Sequence, residues 1–381
     1  MKLIYCIHSL YNPGGMERVL LNKVVWFREH TDWEIVIVTT DQKNRPTFYP
    51  FPDGVRMVDL GVNYSDDNGK GFFAKFCGFI KRRQIHKRLL NKLLREEKPD
   101  IVDCFYPGEC SFVPSLKDGS KKVMELHQSK LFHHQYNRSG LMGLADKVRA
   151  KMDERLVRKF DSFVVLTEED AAMWGDVPNI KVIPNAAKFI SSGYSSCQNK
   201  RVIAVGRLDY QKGFDRLIKA WEIVCRDEDL KGWHLDVFGQ GEWRDMLQQM
   251  IDERGLQDRV TLNKPTKDIA KEYASSSMLV MSSHYEGFPM VMIEAMACGL
   301  PVVTFDYKCG PRDIIDHEIN GLLVRDGDIE GLAKAMISMM RDDAARKRMG
   351  ENAKKVVETY SEETVMKQWI ELFNTLVERR A

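Results

Sequence analysis

Two patterns of hydrophobic and polar positions alternate along the chain. Short apolar runs predict strands, and the longer segments between them, in which apolar positions recur every three or four residues, predict helices. This alternation is typical of a parallel sheet with helices packed on its faces. In the first half the predicted strands are 3–8, 33–39, 101–105, 122–126 and 162–166, and the predicted helices are 17–27, 72–95 and 141–160.

The alternation stops after residue 185, where a Ser-rich stretch without periodicity predicts a linker at 190–199. Beyond it the predicted strands are 202–205, 234–238, 260–262, 278–281, 302–304 and 322–324, and the predicted helices are 214–225, 242–254, 269–274, 291–298 and 330–340. Ser361 is a typical helix N-cap, and an apolar stripe follows it. The sequence therefore predicts two α/β domains, 1–189 and 200–357, and a terminal helix at 358–381.

Composition adds the cellular setting. The 381 residues are 44% hydrophobic and 29% charged, as in ordinary globular proteins, and no apolar run approaches the ~18 residues of a membrane span. The N-terminal run has no basic segment and no cleavage site, so we interpret it as a buried strand and not a signal peptide. The eight cysteines show no CxxC pair, which favours a reduced, cytoplasmic setting.

Loops that directly follow strands are the first places to look for function, because open α/β sheets bind ligands at the carboxyl ends of their strands. Gly14 and Gly15 lie in the first such loop, ahead of a helix, where backbone can approach an anionic or polar ligand. A tight turn explains the two glycines equally well.

The first strand of the second half leads into Arg207 and Lys212, two cations bracketed by glycines at a helix start. They suit a diphosphate, because Arg can bind two oxygens at once and Lys acts as a point charge. No Asp-rich metal site accompanies them; the alternative is a pair of surface cations. Gly239 lies in a GxG loop whose third fingerprint position is Arg244, so the dinucleotide motif fails, although a nucleotide can still approach the loop.

The segment 282–301 carries two carboxylates, Glu286 in a predicted loop and Glu294 inside an otherwise apolar helix. Carboxylates bind vicinal hydroxyls, and the backbone amides near Gly287 and Phe288 would face an anionic group. A buried structural carboxylate is the alternative for Glu294. His127 ends a strand of the first half, where a functional role and simple packing remain equally open.

The motifs HYEGFPMVMIEAMACGLPVV and GRLDYQKG, together with the early GG pair, resemble those of the retaining family 4 glycosyltransferases, also called glycosyl transferases group 1, of the GT-B fold. The resemblance covers nearly the whole chain. It implies two Rossmann-like domains facing a central cleft, with the acceptor on the first domain and a nucleotide-sugar donor on the second. It also implies that the terminal helix crosses back to the N-terminal domain.

The resemblance assigns roles by motif position. The residues implied in catalysis are His127, Arg207, Lys212 and Glu286, with the two cations on the donor diphosphate and Glu286 on the transferred sugar. Glu294 would hold the ribose hydroxyls, and Gly15, Gly239, Gly287 and Phe288 would complete the donor site. Gly14 and His127 would meet the acceptor, although Gln128 follows His127 where many relatives carry an acidic residue.

The implied reaction retains the anomeric configuration and needs neither a cofactor nor a divalent metal. We expect a UDP-sugar donor, a hexosyl or N-acetylhexosaminyl group, and a glycan or lipid-linked acceptor in surface polysaccharide or glycolipid synthesis. A nucleotide-sugar epimerase of the same fold is the alternative. A noncatalytic binding module or an NAD-dependent oxidoreductase fits less well, since several strand-end motifs are intact and GxGxxG is missing.

Residues 75–98 contain nine Lys or Arg and only two acidic residues, after Phe72 and Phe73 and interleaved with Phe76 and Phe79. Such a helix can lie on an anionic membrane surface, and a solvated helix face is the alternative. A second basic set comprises Lys147, Arg149, Lys151, Arg155, Arg158 and Lys159. We therefore expect a cytoplasmic protein, peripheral on the inner face of the cytoplasmic membrane, with no nucleic-acid partner; the sequence leaves the oligomeric state open.

Overall fold

A computed structural model of the protein describes residues 1–67, 69, 71–130, 140–188 and 193–378. The chain forms two compact units. Unit 1 comprises Met1–Leu166, Asp170–Ala186 and Val365–Ala381, and unit 2 comprises Thr167–Glu169 and Ala187–Thr364. Within the described residues, no helix has the length and apolar character needed to cross a membrane.

Unit 1 contains a seven-stranded parallel sheet in the order β3-β2-β1-β4-β5-β6-β7. Its strands are β1 (Lys2–Cys6), β2 (Glu34–Thr39), β3 (Arg56–Asp59), β4 (Ile101–Phe105), β5 (Lys121–Glu125), β6 (Ser162–Val165) and β7 (Ile180–Val182). Strands β2 and β4 are buried along nearly their whole length and are mostly apolar, because helices cover both faces of the sheet. Their side chains therefore fill two separate apolar layers.

Two strands of this sheet, β3 and β7, were absent from the sequence prediction. They are the two edges of the sheet and are short, and β3 is largely exposed. Polar residues such as Arg56 and Lys181 interrupt their apolar pattern, as is usual for strands that must not pair with another chain. An edge strand of this kind leaves little periodic signal in the sequence.

Helices cover the sheet of unit 1 as the periodicity predicts. They are α1 (Gly15–His30), α2 (Phe72–Glu97), α3 (Gly140–Val157), α4 (Glu168–Trp174) and the terminal α13 (Glu362–Glu378). From Val365 onward, α13 belongs to unit 1, where Phe373 packs against the rings of Phe27 and Trp33 at centroid distances of 6.1 and 5.9 Å. Burial of these aromatic rings is what holds the end of the chain to this unit.

Unit 2 contains a six-stranded parallel sheet in the order β10-β9-β8-β11-β12-β13. Its strands are β8 (Arg201–Val205), β9 (His234–Phe238), β10 (Val260–Asn263), β11 (Met278–Met281), β12 (Val302–Asp306) and β13 (Gly321–Arg325). The helices are α5 (Phe214–Val224), α6 (Arg244–Glu253), α7 (Ile269–Ala274), α8 (Met290–Ala297), α9 (Pro311–Ile314), α10 (Ile329–Arg341), α11 (Asp343–Ala353) and α12 (Val356–Tyr360). Both units therefore have the predicted Rossmann-like architecture.

In both sheets the strand order reverses at the first strand, between β1 and β4 in unit 1 and between β8 and β11 in unit 2. Loops that leave neighbouring strands at this point run to opposite faces of the sheet, and the crevice between them is where such folds bind ligands. The strand order thus brings the loops after β8 and β11 together within unit 2.

The boundary between the units lies between Ala186 and Ala187, ahead of the predicted linker at 190–199. Residues 190–192 of that segment lie outside the described residues, whereas 193–199 belongs to unit 2. Ser195 donates its backbone N–H to the Cys298 carbonyl at 2.8 Å, and buried Arg346 donates to the Cys197 carbonyl at 2.7 Å. Residues 193–199 are therefore held by hydrogen bonds to their backbone, which leave no apolar pattern in the sequence.

His86 of α2 makes the stability of unit 1 depend on pH. Burial lowers its pKa from 6.5 to about 4, and its ring contacts Tyr64 and Phe112. As the pH falls below 6.5, His86 becomes protonated in the unfolded chain, whereas in the folded chain it stays neutral down to about pH 4. The free energy of unfolding therefore decreases as the pH falls from 6.5 to about 4. We expect the wild type to lose about 2 kcal/mol more than His86→Gln between pH 7 and 4.5, measured by urea denaturation. Equal losses in the two proteins would contradict this assignment.

Candidate active site

The loop after β8 is held against the loop after β11 by backbone contacts. Gly213 ends the first loop with φ +60°, and a Cβ at this position would lie 2.3 Å from the Ser282 carbonyl oxygen. The Ser282 hydroxyl donates to the Lys212 carbonyl at 3.1 Å, and the His284 backbone N–H donates to the Gln211 carbonyl at 2.8 Å. Only glycine permits this approach, which fixes the side chains of both loops next to one another.

Glu286 stands at the centre of the two loops and is only 6% exposed. One carboxylate oxygen accepts from the Lys212 ammonium at 2.6 Å and from the Ser283 hydroxyl at 2.7 Å, and the other accepts from the Gln211 amide at 3.2 Å. Burial raises the pKa of Tyr307, and the nearby Glu286 charge raises it further. The buried carboxylate is paired with the Lys212 ammonium, as burial of a charge requires.

Arg207 has a different environment from Lys212. Its side chain is 68% exposed, and it donates to the Gln211 side-chain oxygen at 2.7 Å and lies 3.2 Å from the Asp209 carboxylate. The guanidinium has five N–H donors, so most of them remain available to a ligand. The predicted pair of cations therefore consists of one exposed fork and one ammonium shared with Glu286, with Gln211 between them.

Gly239 and Gly241 have a packing role that the sequence did not reveal. A Cβ at Gly239 would lie 1.9 Å from the Gly206 carbonyl oxygen, and one at Gly241 would lie 2.3 Å from the Leu208 carbonyl oxygen. The Leu208 N–H also donates to the Gln240 carbonyl at 2.9 Å. The loop after β9 is therefore packed directly on the Arg207 loop, and the two glycines are needed for that contact whether or not a ligand approaches.

Gly287, Phe288 and Glu294 lie in or near the start of α8, as predicted. The Phe288 ring is buried against Tyr360 at a centroid distance of 5.6 Å. Glu294 lies near Tyr273 and Cys298. Burial and, after it, the Glu294 charge raise the pKa of both groups, and together they raise that of Cys298 to about 11. The ligand-binding and the buried structural interpretation of Glu294 are both compatible with this environment.

Several residues around Glu286 were missed at the level of sequence. Gln211 and Ser283 lie within the motifs already singled out, but amides and hydroxyls there carry no distinctive spacing. Arg216 is buried over the Phe305 ring and donates to His284 Nδ1 at 2.9 Å, and the His284 ring stacks on Tyr210 at 4.3 Å. Arg216 lies in the first turn of α5, just beyond the GRLDYQKG motif, and was therefore not singled out in the sequence.

In unit 1, Gly14 and Gly15 occupy the N-terminus of α1, as predicted, but for different reasons. A Cβ at Gly14 would lie 2.0 Å from a carboxylate oxygen of Glu17, whereas a Cβ at Gly15 would meet nothing within 4 Å. Burial raises the pKa of Glu17. A side chain at 14 would therefore require the Glu17 carboxylate to move, whereas position 15 has open space beside it.

His127 follows β5, and its side chain is 5% exposed. The imidazole stacks on Phe105 with a centroid distance of 4.9 Å and an interplanar angle of 6°. Its Nε2 lies 3.1 Å from a carboxylate oxygen of Glu125. The ring is therefore fixed in both plane and hydrogen bonding; Glu125 was not foreseen, since it occurs inside a strand.

One group of possible metal ligands occurs among the described residues. Cys6, Cys104 and Glu109 are buried in unit 1 with their ligand atoms within 4.8 Å of one another. The pKa of Cys6 is raised mainly by its hydrogen bond with Cys104 and secondly by burial, and burial raises the pKa of Cys104. These are the properties of protonated thiols packed in an apolar layer, to which both cysteines belong.

Two family models match nearly the whole chain. Residues 13–188 match Glycosyltransferase Family 4, and residues 194–356 match Glycosyl transferases group 1. The chain is 32% identical over 392 residues to the amylovoran biosynthesis glycosyltransferase AmsD of Erwinia amylovora, with 98% of this chain and 99% of that protein covered. The protein therefore belongs to this glycosyltransferase family.

Two further relatives are named for a poly(ribitol-phosphate) and an exopolysaccharide. The chain is 29% identical over 348 residues to the poly(ribitol-phosphate) alpha-N-acetylglucosaminyltransferase of Staphylococcus aureus, covering 88% of this chain and 69% of that protein. It is 36% identical over 226 residues to an exopolysaccharide phosphotransferase of Streptomyces coelicolor. That match covers 58% of this chain but only 24% of the much longer relative.

Solved structures agree on the fold. TarM superposes with a TM-score of 0.78 at 21% identity, covering 98% of both chains. A Staphylococcus aureus TarM mutant in complex with UDP superposes with a TM-score of 0.74 at 19% identity, covering 98% of this chain and 99% of that one. HepE of Anabaena in complex with UDP has a TM-score of 0.74 at 18% identity, covering 98% of this chain and all of that one.

These comparisons confirm the predicted GT-B class of fold and the predicted family. They also decide between the two enzyme hypotheses, because both family models describe glycosyltransferases and the relatives named above include transferases along their full length. The protein is a glycosyltransferase, and nothing in the comparisons supports the epimerase.

The Lys212–Glu286 pair should be strongly coupled in the stability of unit 2. Lys212→Met leaves the buried carboxylate without its cation, and we expect a loss of about 3–5 kcal/mol in the free energy of unfolding. Lys212→Met/Glu286→Gln should lose clearly less than the two single losses together, because neither charge is then unpaired. Urea denaturation of the four proteins measures this coupling, and additive losses would show that the pair is not a unit.

Proposed function

We propose that the protein transfers a hexosyl or N-acetylhexosaminyl group from a UDP-sugar to a glycan or lipid-linked acceptor, with retention of configuration and without a divalent metal. The observation that carries this proposal is the group formed by Arg207, Gln211, Lys212 and Glu286 where the strand order of unit 2 reverses. It offers two cations and a carboxylate at the carboxyl ends of two neighbouring strands.

The two cations suit a nucleoside diphosphate. Arg207 is exposed and can bind two phosphate oxygens at once, whereas Lys212 is a point charge held in place by Glu286. Departure of the nucleotide places negative charge on the diphosphate, and fixed cations stabilise this charge without reorganising. They supply positive charge that a divalent metal provides in other transferases. UDP in the complexes of the TarM mutant and HepE supports a uridine donor.

Glu286 is suited to the transferred sugar. The oxygen that faces Gln211 accepts a single hydrogen bond of 3.2 Å from the described residues, although an ionised carboxylate oxygen can accept two. Sugar hydroxyls are donors of the required kind. In this proposal Glu294 holds the ribose hydroxyls, and Gly239, Gly287 and Phe288 border the donor.

The acceptor is assigned to unit 1, with Gly14 and His127 as the contacting residues. The polymers in the names of the relatives, amylovoran and poly(ribitol-phosphate), favour an acceptor that is a polymer or a lipid-linked precursor made during surface polysaccharide or glycolipid synthesis. The transferase would then work in the cytoplasm.

The start of α2 favours peripheral binding at the inner face of the cytoplasmic membrane. Phe76 and Phe79 are 54% and 52% exposed, Ile80 is exposed beside them, and Lys75 and Lys81 are exposed on the same stretch. Apolar side chains flanked by lysines are the composition that binds an anionic bilayer. The side chains of Phe72 and Phe73 lie outside the described residues.

Donor binding tests the assignment of the cations. We expect UDP to bind more tightly than GDP, ADP or CMP in calorimetry, and Arg207→Ala to weaken UDP binding by about 10- to 100-fold, the worth of a charge-assisted hydrogen bond. Glu294→Ala should weaken the binding of UDP more than the binding of inorganic diphosphate, which has no ribose. Arg226→Ala, an exposed cation of the same unit, is the matched control and should change nothing. Unchanged UDP binding in Arg207→Ala would reject the site.

Membrane binding is tested by co-sedimentation with vesicles of phosphatidylglycerol and phosphatidylcholine at low salt. We expect Phe76→Ser/Phe79→Ser to lose most of the bound fraction, because two apolar anchors are removed. Ile319→Ser removes an equally exposed apolar side chain from unit 2 and should leave binding intact. If wild type and double variant sediment alike, α2 is a solvated helix.

A further inference from the structure

A buried ionic cluster lies next to His127 in unit 1, and neither the family motifs nor the proposed function assigns it a role. Lys23 of α1 lies 2.5 Å from one carboxylate oxygen of Glu125 and 3.9 Å from the Asp103 carboxylate. Lys23 is 3% exposed, Glu125 1% and Asp103 0%. Burying three such groups is costly unless their charges balance and their positions are fixed.

The charges balance when one carboxylate is neutral. Burial raises the pKa of Glu125, but the charge of Lys23 and the hydrogen bond with His127 outweigh it and lower the pKa to about 2. Burial and the neighbouring Glu125 charge raise the pKa of Asp103 well above its ordinary value. The raised pKa of Asp103 leaves Lys23 and Glu125 as the ion pair of the cluster.

Glu125 divides its two oxygens between two partners. Lys23 occupies Oε1, and Oε2 lies 3.1 Å from His127 Nε2. A carboxylate can only accept, so a neutral imidazole must carry its proton on Nε2. The reverse tautomer would place the Nε2 lone pair against the carboxylate and leave a buried N–H on Nδ1. In the observed arrangement Nδ1, which has no partner among the described residues, is an acceptor.

The terminal helix holds the cation of this cluster. The Trp369 ring of α13 lies 3.3 Å from Lys23 Nζ, and the Tyr5 ring lies 5.3 Å from it. An aromatic face replaces part of the water that a buried ammonium loses, and it keeps the ammonium directed at Glu125. A residue near the end of the chain is thus connected through Lys23 and Glu125 to the imidazole of His127.

We propose that Lys23 and Glu125 are positioning residues that hold His127 in its Nε2–H tautomer, so that Nδ1 accepts a hydrogen bond from a substrate hydroxyl. Phe105 fixes the plane of the ring by stacking, and Trp369 fixes Lys23. The effect on turnover rests on the proposed transferase function, whereas the tautomer does not. A merely structural ion pair would stabilise unit 1 without determining the protonation of His127.

The first test reads the tautomer directly in the full-length protein labelled with nitrogen-15 at histidine. Long-range proton–nitrogen correlation spectra distinguish protonated from unprotonated ring nitrogens, and comparison with His127→Gln identifies the signals among the nine histidines. We expect unprotonated Nδ1 and protonated Nε2 in the wild type at pH 7. Glu125→Gln should give a mixture of tautomers, because an amide can donate to Nε2 as well as accept from it. Protonated Nδ1 in the wild type would overturn the proposal.

The second test separates positioning from stability. Lys23→Met and Glu125→Gln should lower kcat for transfer by about 10- to 100-fold, the cost of a misplaced catalytic group, with little change in donor KM. Lys122→Met is the matched control, because it removes a lysine that is buried like Lys23. Lys122 lies on β5, the strand that carries Glu125, and its ammonium is 2.5 Å from the Asp118 carboxylate. Equal loss of kcat in Lys23→Met and Lys122→Met would reject the positioning role.

The two proposals can fail separately. If the wild type transfers no sugar from any nucleotide donor but His127 is held as the Nε2–H tautomer, the proposed function is wrong and the positioning of the ring is supported. If transfer occurs and Glu125→Gln leaves both kcat and the spectrum unchanged, the function is supported and the positioning role is wrong.

Discussion

The reversal of strand order at the first strand of each sheet is the constraint on which the candidate sites depend. All strands are parallel, so all their carboxyl ends lie on one edge, and every loop that follows a strand emerges there. Between β8 and β11 the two loops leave for opposite faces and form a crevice. The meeting of the loop that carries Arg207 and Lys212 with Glu286 follows from that topology, since Lys212 and Glu286 are 74 residues apart and come together because their strands are neighbours.

Each unit contains one buried carboxylate near this edge of its sheet, and the two carboxylates are compensated in a similar way. In unit 2 one oxygen of Glu286 accepts from Lys212 and the other from Gln211; in unit 1 one oxygen of Glu125 faces Lys23 and the other faces His127. Each carboxylate is nearly inaccessible to water. A buried lysine makes such an anion tolerable, and the remaining oxygen can then fix the orientation of a neighbouring polar side chain. Charge burial, costly for stability, thus becomes a means of orienting groups.

Much of the fold could be predicted from the sequence because buried parallel strands consist mostly of apolar residues, and the central strands of both sheets were found within a few residues. The edge strands β3 and β7 were not, since their polar residues face solvent. Arg207, Lys212 and Glu286 could be found because they follow strands. Lys23 could not be interpreted, since its place on the apolar face of α1 gives no sign of a partner about a hundred residues away. The steric need for glycine at 239 was equally invisible, because it depends on the backbone of another loop.

The contact between Trp369 and Lys23 connects α13 through Glu125 to His127. Packing of Phe373 against Phe27 and Trp33 also attaches α13 to unit 1. A Leu or Met at position 369 would fill the same apolar layer, but it would have no negative face to offer an ammonium that has lost its water. The indole is therefore best understood through the cation it covers: it stabilises the charge that keeps Glu125 ionised, and an ionised Glu125 determines which nitrogen of His127 carries the proton.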